Sequence, residues 1–264
     1  MKIAFFDSGI GGLSVLHHAV KLLPSEEFIF FADEDHVPYG TKPRELVMKY
    51  VDEAFKFLMT LNIDAIVVAC NTATSVAVRE MRKHYNLPII GMEPAIKRAV
   101  DLYGDKRILV TATPITVNGE KIHSLIDRLG KRDIVDLLAL PKLVDFAERQ
   151  EFVSDAVADY LREEFKPYDF KDYSSIVLGC THFNYFKDTM RLLLPENVAF
   201  VDGNSGTLKE LMRRLNLSTS ISDLSNSKFI PKIDYYFSGR KIIDAAEIER
   251  LKIYLRRLDD MYLI

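Results

Sequence analysis

Cysteine is scarce in this 264-residue chain, with two in all, and no apolar run approaches the roughly 18 residues that crossing a bilayer as a helix requires. Two thiols cannot build a disulfide framework, so in a chain read as cytosolic they are reduced and either burial or reactivity must explain them. A formal net charge of −3 with no long Lys/Arg cluster argues against nucleic acid as the main partner, and no membrane partner is expected. A small-molecule substrate is expected instead. No short-period repeat is present, which excludes a solenoid. The start, Met1-Lys2-Ile3-Ala4-Phe5-Phe6-Asp7, meets an acid too soon for a signal peptide and reads as the first strand of a cytoplasmic protein. What remains, 48% hydrophobic and 28% charged residues, is the composition of a globular protein long enough for two domains.

Apolar runs alternate with helical spacing along the chain. Residues 2–6 are apolar, Asp7-Ser8-Gly9-Ile10-Gly11-Gly12 breaks the run, and Leu13, Leu16, His17, Val20 and Leu23 recur at helical intervals. A strand follows at 28–31, a helix at 43–60, a strand at 63–69 ending at Cys70, a helix opened by Asn71-Thr72, and a short strand at 88–91. The pattern then restarts: helix 94–102, strand 107–111, a Thr/Pro loop, helix 117–129, strand 134–139, a helical stretch 143–164 carrying Glu148, and strand 175–179 delivering Cys180. A helix at 207–215, a polar loop at 218–227, a late strand at 232–237 and a helix from Asp244 complete the chain. Strands alternating with helices predict the α/β class, here two similar lobes, each a mostly parallel sheet flanked by helices. Residues 1–93 with 208–264 form the first lobe, 94–207 the second, and the active site is expected in the cleft between them.

Both cysteines end an apolar strand, at the place where open α/β sheets bind ligands. Several chemistries compete for them. Gly9-x-Gly11, with Asp33 after the next strand, imitates a dinucleotide fingerprint, but Ser14 stands at its third small position and Asp7 would face the pyrophosphate. The loop is otherwise a plain turn, or Ser8 and its N–H groups bind a carboxylate at a helix start. Zinc could take Cys70, Cys180, His182 and His36, although no paired ligand spacing supports it; His17, His18, His84 and His123 read as surface or core residues. A nucleophilic Cys180 with His182 as base leaves Cys70 unexplained. Proton transfer at a carbon beside a carboxylate uses both thiols, one on each face of the substrate. A free thiol has a pKa of about 8.5, so the base must be shifted towards thiolate, and each cysteine precedes a helix start able to do so.

At this point the chain resembles the cofactor-independent glutamate racemases over nearly its whole length. Phe6-Asp7-Ser8-Gly9-Ile10-Gly11-Gly12, Val37-Pro38-Tyr39-Gly40, Ala69-Cys70-Asn71-Thr72-Ala73 and Gly179-Cys180-Thr181-His182 stand in that family's order and spacing. The resemblance implies that Cys70 and Cys180 are the acid/base thiols, that Asp7 and His182 assist them, and that Glu148 is a further auxiliary acid. It implies a substrate lining of Asp7, Ser8, Tyr39, Gly40, Asn71, Thr72, Thr113, Thr181 and His182, no cofactor and no metal, a homodimer, and interconversion of L- and D-glutamate for peptidoglycan synthesis. Aspartate racemases use a similar pair of thiols, and a non-catalytic amino-acid binding protein would keep the cleft without needing both. The chain departs from the family pattern at Asn184, where proline is frequent, and at Ala112-Thr113-Pro114-Ile115-Thr116, where a glycine-threonine loop is usual. It also resembles the members without an N-terminal extension, for which control by a cell-wall precursor is not expected.

Overall fold

The computed structural model describes residues 1–92, 95–104, 106–218, 231–262 and 264. Two sheets form, as the alternating pattern requires. The first has strands β1 (Lys2–Asp7), β2 (Glu27–Ala32), β3 (Ala65–Val68), β4 (Ile89–Gly91), β9 (Ile233–Phe237) and β10 (Arg240–Lys241) in the order β10-β9-β2-β1-β3-β4, parallel except for the β9–β10 hairpin. The second has β5 (Arg107–Ala112), β6 (Val135–Ala139), β7 (Tyr173–Leu178) and β8 (Ala199–Asp202) in the order β6-β5-β7-β8, all parallel. In each sheet the chain winds outward from its first strand in both directions, so each has a crevice beside that strand's carboxyl end, where ligands bind in open α/β sheets. Asp7 closes β1 and Cys70 follows its neighbour β3; Thr113 follows β5 and Cys180 follows its neighbour β7. The two halves therefore present corresponding positions.

Strands β1, β2, β3, β5 and β7 are largely apolar and buried along nearly their whole length because both their faces are covered. Alternate residues of β1 divide between two cores: Ile3 and Phe5 face one, Ala4 and Phe6 the other. The first core is shared by the two sheets, since it also takes Leu109 of β5 and Ile176 and Leu178 of β7. It holds α1 (Leu13–Leu22), α8 (Lys142–Glu148) and the C-terminal α12 (Ala245–Met261). The outer face of the second sheet has its own cluster around Ile108, Val110 and Val177. Among the described residues no helix is long and apolar enough to cross a membrane.

Several expected elements differ. The helical stretch 143–164 is two helices, α8 and α9 (Asp155–Phe165), because Gln150 takes a left-handed φ of 59° and Ser154 caps a fresh start by accepting from the Val157 N–H. The helix over 117–129 begins as α6 (Pro114–Val117) and restarts as α7 (Glu120–Leu129), and that opened by Asn71 divides into α3 (Asn71–Val76) and α4 (Val78–His84). Two strands escaped the periodicity, β8 and β10. The helix expected at 207–215 starts at Asn204, so the division expected at 207/208 falls inside it. Residues 93 and 94, and all but the first residue of the polar loop 218–227, lie outside the described residues.

Candidate active site

Asp7 stands at the centre of the site. It is fully buried at the end of β1, and both its oxygens are engaged. Oδ1 accepts from the Ser8 hydroxyl and the Gly9 N–H, each at 3.2 Å, while Oδ2 accepts from the Thr181 hydroxyl at 2.9 Å. Ser8 Oγ also lies 3.5 Å from Cys70 Sγ. Thr181 directly follows Cys180, so the Asp7 carboxylate joins the neighbourhood of one thiol to that of the other. Burial pushes the Asp7 pKa up, against the pull of the His182 charge.

Each thiol has its own environment. Cys70 is the N-cap of α3 and its sulfur accepts from the Ala73 N–H at 3.3 Å, the helix-start geometry the sequence suggested. The expected lowering of its pKa does not follow. Burial, with the Asp7 charge second, pushes the thiol up to about 12, because the long contacts with the Ala73 N–H and the Ser8 hydroxyl are weaker than the loss of water around a thiolate. Cys180 is followed by a 3₁₀ segment, Thr181–Phe186, and its sulfur is 3.7 Å from His182 Nδ1 rather than capped by an N–H. His182 Nε2 is 2.7 Å from Glu148 Oε1 and 3.3 Å from the Gly11 N. A single nitrogen cannot donate to the carboxylate and accept from Gly11 at once. The shorter, charge-assisted contact decides, so Nε2 carries a proton for Glu148 and the Gly11 N–H is only a close neighbour. Burial alone would lower the His182 pKa, yet hydrogen bonds to Cys180 and Glu148 and their charges hold it well above the ordinary histidine value. The imidazolium is thus the favoured form beside Cys180.

The high value for Cys70 has a direct consequence. In the substrate-free protein, a thiol near 12 is almost entirely protonated at pH 8, so iodoacetamide should modify Cys70 at least about a hundredfold more slowly than a model thiol. Intact-mass timing on a Cys180→Ser background checks this, and rapid labelling of Cys70 would contradict it.

The glycine loop does not cradle a nucleotide. Its Ile10 N–H donates to Glu148 Oε1 at 3.0 Å, so the loop's N–H groups carry the chain's own carboxylates, Asp7 and Glu148. The glycines serve close approach of the two halves. A Cβ on Gly9 would fall 2.0 Å from Glu148 Oε1, and one on Gly11 would fall 2.4 Å from both His182 Nδ1 and Thr181 Oγ1. The zinc alternative also finds no ligand set: among the described residues no group of three His, Cys, Asp or Glu is arranged to hold a metal. His36 instead stacks on Tyr50 and pairs with Asp33.

The remaining candidates divide. Thr72 and Thr113 meet across the two halves with hydroxyl oxygens 2.8 Å apart, and Thr113 donates to Thr116 at 3.1 Å. Gly40 is held against this pair, since a Cβ there would lie 2.5 Å from that of Thr113. Tyr39 is brought beside them but its hydroxyl donates to Asp33 Oδ2 at 2.5 Å, so its phenol is committed within the protein. Asn71 is 7% exposed and its Oδ1 has no hydrogen-bond partner. Asn184, at the departure from the family pattern, holds the 3₁₀ segment by donating to the Thr181 carbonyl at 3.2 Å.

Sequence reasoning missed the supports of Glu148. Arg250 on α12 lies 2.9 Å from Glu34 Oε2 and 3.9 Å from Glu148 Oε2, and the Tyr254 hydroxyl reaches the carbonyls of Ala147 and Glu148 at 2.9 and 3.0 Å. The helical spacing of residues 250 and 254 was the available signal, but it says only that they share a face.

Two mostly parallel sheets bring two thiols at strand ends into the neighbourhood of one buried aspartate, the arrangement that an α/β enzyme working by acid–base chemistry on two faces of a carbon requires. The family model described as Asp/Glu/Hydantoin racemase matches residues 14–211, and the chain belongs to that family. It is 49% identical over 267 aligned positions to the glutamate racemase of Campylobacter curvus, covering 99% of this chain and 98% of that protein. Its structure is similar to that of the Campylobacter jejuni glutamate racemase, with a TM-score of 0.83 at 26% identity over 97% of this chain and 98% of the other. It is also similar to the Francisella tularensis glutamate racemase solved in complex with D-glutamate, with a TM-score of 0.76 at 26% identity over 97% and 93% of the two chains.

Proposed function

We propose that the protein is a glutamate racemase that interconverts L- and D-glutamate by proton transfer between two thiols, and that the D form feeds peptidoglycan synthesis and so the shape of the cell. The observation that carries the mechanism is the joining of Cys70 and Cys180 through Ser8, Asp7 and Thr181, with a separate helper at each end. One sulfur, as thiolate, takes the Cα proton: the C–H bond breaks, an S–H bond forms, and the electron pair passes into the adjacent carboxylate. The other thiol gives its proton to the opposite face, so that its S–H bond breaks as the new C–H bond forms. No net proton is gained or lost, and the thiols have exchanged roles. A positioned acid or base of this kind contributes about 10²–10⁴-fold to a rate.

In this reading His182 assists Cys180, Asp7 assists Cys70, and Glu148 holds the proton on His182. The unpartnered Asn71 Oδ1 accepts from the substrate ammonium, while the hydroxyls of Ser8, Thr72, Thr113 and Thr181, each turning from the internal acceptor it meets in the substrate-free protein, and the backbone at Tyr39 and Gly40 hold its carboxylates. Cys70 and Cys180 are only 5% and 6% exposed, so the lobes must part to admit substrate. We take those lobes to be residues 1–93 with 208–264 and residues 94–207, and the protein to be a cytoplasmic homodimer that needs no cofactor. The deciding experiment is L-glutamate in deuterium oxide with no added cofactor, read by NMR at Cα and by circular dichroism. D-glutamate carrying Cα deuterium is expected. Turnover of L-aspartate alone would transfer the assignment to aspartate, a distinction of one methylene worth about 1–3 kcal/mol; binding of glutamate without exchange would overturn catalysis altogether.

A further inference from the structure

A cavity of about 190 Å³ is lined in part by Asn184, from the segment that carries Thr181 and His182. It is bounded by Ser14 and His18 of α1, Asn184 of the 3₁₀ segment, Lys187 at the start of α10 (Lys187–Arg191), and Asp202 and Asn204, with Arg98 at its rim. None of these residues has a part in the proton transfer. The volume is below the roughly 300–1,000 Å³ of sites for drug-sized ligands, so only a small species fits.

The chemistry of the walls is that of unmet donors. Ser14 is 3% exposed and its hydroxyl has no hydrogen-bond partner. Lys187 has a side chain 15% exposed, and its nearest acid, Asp202 Oδ2, is 3.9 Å away, beyond hydrogen-bond reach. Asp202 is itself turned to its own loop, its Oδ1 accepting from the Asn204 N–H at 3.0 Å. Asn204 and Asn184 are 5% and 4% exposed and spend their amide N–H groups on the carbonyls of Ser14 and Thr181. His18 is half-buried, its ring edge-on to Tyr262. The neighbouring His17 is already paired with Asp259, which also takes Lys21. A partly buried ammonium and a buried hydroxyl without hydrogen bonds, beside the His18 imidazole, share among the lining residues a single carboxylate, Asp202, too far from Lys187 for a hydrogen bond, and leaving such groups unmet in a protein interior is costly.

We propose that this cavity is a binding site for a small oxyanion, seated between Lys187, Ser14 and His18. A tetrahedral phosphate or a carboxylate supplies the missing acceptors. The lining is already coupled to the reaction centre, because Asn184 holds the Thr181 carbonyl and Ser14 lies two residues after Gly12, in the helix that begins at the glycine loop. An occupant that draws on Asn184 and Ser14 therefore shifts the segment bearing Thr181 and His182, and the site is regulatory.

Inorganic phosphate and acetate, each titrated into the full-length protein in an anion-poor buffer, are the probes. Phosphate binding is read by ³¹P line broadening and by thermal shift, acetate by ¹³C line broadening. Saturable binding of either is expected, weakened about tenfold or more in Lys187→Met, where a charged hydrogen bond is lost. Phosphate alone identifies a phosphoryl-bearing ligand; acetate with comparable strength identifies a carboxylate. His18→Gln, which keeps a donor and removes the ring, should weaken binding less and confirms the site without depending on one variant's folding. Absence of saturable binding of both anions, or binding that Lys187→Met leaves unchanged, overturns the proposal. Racemisation of L-glutamate with and without saturating anion tests the coupling: a change in kcat or KM that Lys187→Met abolishes is expected, and saturable binding that leaves both unchanged overturns the regulatory role while leaving the racemase reading intact.

Discussion

Cys70→Ser and Cys180→Ser should each lower racemisation by about a thousandfold or more, since each removes an acid/base group from a reaction in which both act in every turnover. A hydroxyl cannot stand in, because its pKa is far above that of even the raised thiol at Cys70. The sharper expectation concerns exchange without inversion. With one sulfur left, that sulfur can still take the proton from the enantiomer that presents Cα–H to it, trade it with solvent and return deuterium to the same face. Each variant should therefore exchange the Cα proton of a single enantiomer while its configuration persists, and the two variants should choose opposite enantiomers. NMR of L- and D-glutamate incubated separately in deuterium oxide measures both quantities. Near-normal racemisation in either variant, or exchange of both enantiomers by one of them, would sink the two-base mechanism and leave the single-base or binding readings.

The positions of those thiols were legible because they rest on the strongest local signal available, a buried apolar strand that surfaces. Ile66-Val67-Val68 and Ile176-Val177-Leu178 could only be interior, and the polar residues after each had to lie at a strand end. The parallel pairing followed from the helical stretches between strands. What was not legible depends on contacts between distant residues or on local competition. Ala199–Asp202 escaped notice because it is four residues long and only Val201 is buried. The break after Glu148 depends on a left-handed Gln150 inside an otherwise helical composition. The glycines at 9 and 11 read as ligand-binding turns, yet they are required because Glu148, Thr181 and His182 arrive from more than a hundred residues away. The ionisation of Cys70 failed for the same reason: a helix start is visible in sequence, while the depth of burial that outweighs it belongs to the assembled core.

Glu148→Gln tests the least obvious of the site assignments. The amide oxygen can still accept from the Ile10 N–H and from His182 Nε2, so geometry is kept and one negative charge is removed. Activity, as kcat/KM, should fall about 10–100-fold, the worth of a hydrogen bond to a charged group. The pH dependence carries the sign. His182 has a folded-state pKa raised above its unfolded value of 6.5, so the stabilisation from its charged contacts is fully present below that value and is lost as pH rises through the folded pKa. Without the Glu148 charge the folded pKa drops, and the imidazolium is lost at a lower pH than in the unaltered protein. The alkaline limb of the activity profile should move to lower pH, in step with the His182 imidazole signals followed by ¹H–¹⁵N NMR. Arg250→Gln should move the limb the other way or leave it in place, because it removes a cation 3.9 Å from the same carboxylate and so leaves the pull of Glu148 on the His182 proton undiminished. A profile unchanged in Glu148→Gln would mean that Cys180 alone keeps His182 charged, and Glu148 would then be a bracket between the glycine loop and α8 with no part in the chemistry.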